Sequence, residues 1–98
     1  VRTAEIELPE PYEGWRATIR TNIPMATYNA LVGGTWKEKA HALIETILEW
    51  NYVDDEGEPI PLEPAALRTR LGFDEVKLTV AAIDQAIGDF LRQLSTRD

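Results

Sequence analysis

The side chains best equipped for chemistry crowd into one stretch: Asp54, Asp55, Glu56, Glu58 and Glu63 surround Gly57, with no basic residue between 51 and 64. Such a cluster suggests either a hard cation or a general acid–base pair. Setting Gly57 at the sixth position of a calcium loop does place Glu63 at the twelfth, where a bidentate acid belongs. The first position then falls on Tyr52, which brings no carboxylate, so the stretch is read as metal-free. An acid–base pair at Asp54 and Asp55 would require a pocket that separates their proton affinities; none is indicated, and both read as turn residues. Covalent catalysis has little to draw on. The chain has no cysteine, Ser95 is its one serine and His41 its one histidine, which leaves neither a nucleophile–base–acid set nor a thiolate ligand. His41 falls on the flank of a helical pattern, where an imidazole covers the edge of a core. Gly33-Gly34 lacks the further glycine and the lysine of a phosphate-binding loop. The expectation is a chain with no catalytic residue, no metal site and no cofactor.

The elements around this stretch follow from periodicity. Ala4, Ile6 and Leu8 alternate with polar residues, as do Trp15, Ala17 and Ile19, which predicts a β-hairpin over 3–21. One register sets Leu8 against Trp15, Ile6 against Ala17 and Ala4 against Ile19 on one face, and Glu7 beside Arg16 on the other; a slip by one residue spoils both faces. Two strands are marginal alone, so helices must cover the Trp15 face or another chain must extend the ladder. Helices are predicted at about 23–33, 35–50, 64–71 and 74–94. The first enters at Asn22 or Ile23 before Pro24 and stops at Gly33-Gly34. The second opens with a Thr35/Glu38 capping box and carries Trp36, Ala40, Leu43, Ile44 and Ile47 on one face, with Glu38, Ala42, Glu45, Thr46 and Glu49 opposite. The third starts at Pro64, with Leu62 and Leu67 placed as a staple around Glu63. The last aligns Val76, Val80, Ile83, Ile87, Phe90, Leu91 and Leu94 on one stripe, and leaves Leu78, beside Ala81 and Ala82, almost opposite. Leu78 is either an ordinary exposed leucine or a partner contact. Trp36 is expected in the core, and Trp50, at the end of a helix, either packs there or ties down the acidic loop at 51–63. Tyr52, Val53, Ile60 and Leu62 anchor that loop. The fold class is α+β, mostly helical, with an N-terminal hairpin packed on about four helices.

The 98 residues are 44% hydrophobic and carry a net charge of -7. That length supports one modest core, so 1–98 is read as a single domain. An acidic chain without a basic stripe lacks the electrostatic footprint for nucleic acid, and anionic membrane surfaces repel it. No apolar run is long enough to span a bilayer, and Val1 opens no basic-then-apolar leader, which points to the cytoplasm. The acidic loop reads either as a solvated turn or as a dock for a basic partner.

From Trp50 to Leu67 the sequence runs WNYVDDEGEPIPLEPAAL. It resembles the W-N-x-x-D-x-x-G-x-P-x-P signature of tail assembly chaperones of long-tailed bacteriophages and related prophages. The resemblance rests on Trp50, Asn51, Asp54, Gly57, Pro59 and Pro61, while Glu63 stands where a serine or threonine cap is more usual. It implies a non-enzymatic protein in the cytoplasm of the host bacterium that binds the tape measure protein, keeps it soluble, promotes polymerisation of the tail tube protein around it, and is absent from the mature virion. It also implies that a chain ending Ser95-Thr96-Arg97-Asp98 is the shorter of two forms, the longer made by frameshifting. Two other readings stay open: a structural neck or connector component of the particle, and a generic bacterial protein-interaction domain. Homo-oligomerisation is open in all of them. The signature loop is either structural or partner-binding, with rigidity from glycine and proline as its main property.

Overall fold

The computed structural model describes residues 2–95. The readings at Val1 and at 96–98, and those of the Leu94 and Ser95 side chains, lie outside the described residues. The order of elements is β1 (Thr3–Glu7), β2 (Arg16–Arg20), α1 (Met25–Gly33), α2 (Trp36–Thr46), β3 (Ile47–Trp50), α3 (Pro64–Arg70) and α4 (Phe73–Ser95). The three strands form one antiparallel sheet in the order β1-β2-β3.

The hairpin has the register its two faces require. Ala4 pairs with Ile19, Ile6 with Ala17 and Glu7 with Arg16, while the Leu8 amide donates to the Trp15 carbonyl at 3.0 Å. Ile6, Leu8, Ala17 and Ile19 are buried. A one-residue slip would expose this set, and Ile19 alone contributes about 2 kcal/mol through burial. On the solvent side Arg16 and Glu7 approach to 3.4 Å, both more than half exposed, a contact that contributes little.

The helix predicted over 35–50 is two elements. Its start is as expected: the Thr35 hydroxyl accepts from the Glu38 amide and the Glu38 carboxylate accepts from the Thr35 amide, a complete capping box. Its end comes at Thr46. Ile47 turns to extended backbone (φ -89°, ψ 124°) and Ile47–Trp50 pairs with β2, Ile47 opposite Ile19 and Trp50 opposite Ala17, across an irregularity between Thr18 and Ile19. The open edge of β2 satisfies a whole ladder of backbone groups, which outweighs the helical spacing of Ile47. The ladder is thus extended from within the chain.

Other departures are local. Pro24 itself stands at the cap of α1, which starts at Met25. Gly34 closes that helix, its amide donating to the Ala30 carbonyl at 3.0 Å; a Cβ here would lie 2.6 Å from that oxygen, so glycine is needed for the close approach. Ala42 and Thr46, expected on an outer face of α2, are 3% and 0% exposed. The core is one cluster with residues from all three strands and all four helices, among them Ile19, Ile47, Leu31, Leu43, Leu67 and Ile83.

Candidate functional site

The six signature residues and the acidic loop form one hydrogen-bonded bracket between β3 and α3. Trp50 ends β3, and its indole N–H reaches across the loop to donate to the Ile60 carbonyl at 2.7 Å. Beyond it the chain doubles back as a narrow hairpin. The Ile60 amide donates to the Tyr52 carbonyl at 3.0 Å and the Asp54 amide to the Glu58 carbonyl at 2.9 Å, with Val53 opposite Pro59. Between those two bonds the nitrogen of Pro59 faces away from Val53, so a residue without an N–H fits there. Pro61 accepts from the Glu63 amide at 2.9 Å, and Glu63, held extended by the proline after it, leads into α3.

Asp54 organises the tip. One carboxylate oxygen accepts from the Glu56 and Glu58 amides at 2.9 and 3.0 Å. The other accepts from Nε and Nη2 of Arg70 at 3.1 and 2.7 Å. Arg70 ends α3 and also donates to the Pro59 carbonyl at 3.0 Å, so it ties both strands of the bracket to that helix. The guanidinium, and then the Glu58 and Glu56 amides, hold the Asp54 carboxyl below the usual carboxylate range. An aspartate kept ionised in this way is an acceptor that fixes backbone rather than a proton donor. Gly57 closes the tip at φ +82°, a conformation that disfavours any residue with a Cβ.

Asn51 points the other way. Its side-chain oxygen accepts from the Arg16 amide at 2.7 Å and its amide nitrogen donates to the Gly14 carbonyl at 2.8 Å, while its own amide donates to the Arg16 carbonyl at 3.1 Å. The bracket is therefore joined to the β1–β2 loop on one side and to α3 on the other. An aromatic run reinforces the first junction: Trp50 stacks on Tyr52 at 4.2 Å, Tyr52 meets Trp15 at 4.9 Å, and Trp15 meets Tyr12 at 5.1 Å. Tyr52, 1% exposed, also bonds through its hydroxyl to Thr79 of α4 at 2.8 Å.

Trp50 thus has the loop-tying role, from a strand end rather than a helix end. Trp36 is 48% exposed and packs on Phe73 at 5.5 Å, not in the core, because Ala40 and Leu43 fill the inner face of α2. Leu78, read as an exposed leucine or a partner contact, is half-buried and packs against the core. His41 is exposed. Among the described residues no group of three or more metal-ligating side chains comes together. Two partners of the site were not singled out by sequence: Arg70, whose signal was a cation at the end of the next helix, and Thr79, a polar residue that takes a buried position in α4 and gave no signal.

What the arrangement offers chemically is a stiff projection with Asp55, Glu56, Glu58, Pro59 and Pro61 exposed along it. No protein-family model matches the chain, and no curated protein or solved structure matches it.

Proposed function

We propose that the chain is a non-enzymatic tail assembly chaperone of a long-tailed phage or prophage, which holds the tape measure protein soluble in the host cytoplasm and promotes tail tube assembly around it. The observation that carries this reading is the bracket. Trp50, Asn51, Asp54 and Gly57 each fix a different part of one backbone shape, and the two prolines stiffen its return strand. A pattern whose members all serve one shape supports its reading as a rigid partner-recognition element. The net charge of -7 favours a protein partner over nucleic acid or an anionic membrane, and no helix among the described residues is long and apolar enough to cross a membrane.

The test is co-expression with the tape measure protein encoded alongside. The chain is expected to keep it in the soluble fraction and to co-purify with it, with capture weakening as salt rises if the exposed acids make the contact. Neutralising Asp55, Glu56 and Glu58 together should reduce capture while leaving the fold intact. An insoluble tape measure protein with no co-purification overturns the reading. The chain's presence in purified virions would instead mark it as a structural component.

A further inference from the structure

We propose that the protein forms a two-fold symmetric dimer by antiparallel packing of α4 against α4 of a second copy. The inference does not depend on the chaperone reading. α4 is 23 residues long. Val76, Thr79 and Ile83 bury one flank, while Phe73, Lys77, Ala81, Asp84 and Leu91 on another are exposed. Phe73 to Leu91 is five helical turns, a straight stripe about 27 Å long.

Of the large apolar residues exposed among the described residues, all but Leu48 gather along this stripe. Met25, Val32, Trp36, Phe73 and Leu91 are each 47–73% exposed and line two grooves beside α4, one walled by α1 and the start of α2 and the other by α1 and the segment before it. One groove, of about 420 Å³, holds Val32, Trp36 and Phe73; the other, of about 410 Å³, holds Met25, Ile87 and Leu91. Between them the Tyr28 hydroxyl donates to Asp84 at 2.6 Å. Such clustering marks an interaction surface.

Charge and size select a second copy as the occupant. With Lys77 opposite Asp84 of the copy, the two-fold axis passes between Val80 and Ala81, and the pair forms twice. The small Ala81 at the axis allows close approach of the helices. In the same register Phe73 falls opposite Gly88, where an added Cβ would meet nothing within 4 Å, so its ring enters the groove beside Met25 and Leu91 of the copy. The exposed Asp74 falls opposite uncharged Ile87. Sliding by two turns in either direction sets Lys77 against Lys77 or Asp84 against Asp84, so like-charge repulsion rejects those two registers.

Sedimentation analysis of the purified chain should give twice the 11.1 kDa protomer mass. K77E and D84K should each weaken association roughly tenfold or more, since each sets like charges together. An equimolar mixture of the two should regain the dimer, because opposite charges then face each other at both pairs. Ala81→Arg, which alters no buried contact, should be monomeric with unchanged helical circular dichroism. A monomeric wild type, a dimer insensitive to K77E and A81R, or a mixture of folded variants that stays monomeric would each overturn the proposal.

Discussion

The hydroxyl pair that joins the bracket to α4 makes a directional prediction. The Thr79 oxygen lies 2.7 Å from the Glu75 carbonyl and 2.8 Å from the Tyr52 oxygen. A carbonyl only accepts, so the single Thr79 hydrogen points to Glu75 and Tyr52 must donate to Thr79. Both residues are almost fully buried, at 1% and 0% exposure. Tyr52→Phe removes the donor and leaves Thr79 with its own bond intact, at a cost of about 1 kcal/mol. Thr79→Val keeps the shape but strands a buried O–H, at a cost of about 1–3 kcal/mol. The double variant, which buries neither group, should cost less than the two singles combined. In a domain of this size 1 kcal/mol moves the melting temperature by about 4–8 °C, well within the reach of calorimetry or urea titration. Burial pushes the Tyr52 hydroxyl up to about 12. Between about pH 10 and 12 the unfolded tyrosine has lost its proton and the folded one keeps it. Wild-type stability should therefore fall across that window by about 2–3 kcal/mol from this residue, and Tyr52→Phe should lack that component. If Tyr52→Phe costs more than Thr79→Val, or if the two effects simply add, the proton assignment is wrong. A gap between wild type and Tyr52→Phe that stays constant with pH would refute the burial argument.

Two further predictions concern the tip. Gly57→Val meets no steric obstacle, so its cost is the left-handed backbone alone, roughly 1–2 kcal/mol; Gly57→Asn should recover part of it, and an unchanged melting temperature would mean the tip does not need this conformation. Because Arg70 and the loop amides lower the Asp54 pKa, its contribution is complete above the ordinary carboxylate range and is lost as pH falls through the folded value. Wild type should therefore lose stability on acidification more steeply than Asp54→Asn in urea titrations, and parallel acid limbs would refute the pairing.

What sequence made legible was local or self-checking. The hairpin register followed because two independent constraints, an apolar face and a charge pair at Glu7 and Arg16, agreed on one alignment. The capping box at Thr35 needed only residues three apart. β3 was illegible because Ile47 continues the helical spacing of Leu43 and Ile44 while its strand partners lie near residue 18, and that pairing is decided by the free edge of β2. The β-branched Thr46-Ile47 pair and the need to extend a two-strand ladder were the available signals. The position of Trp36 failed for a related reason: a helical stripe says which residues share a face, not how far along it the core reaches.

The acidic loop shows the same limit in electrostatic form. Counted along the chain, 51–64 carries five acids and no base, which suggests one undivided negative patch. In space Asp54 faces inward to Arg70, so the loop divides into an anion that sets the shape and acids that face solvent. Asp54 and the signature residues around it lock the backbone, and Asp55, Glu56 and Glu58 ride on it. Shape and charge are therefore separable by substitution: neutralising the exposed acids should spare the fold, whereas altering Asp54 or Gly57 should disturb it whatever the net charge.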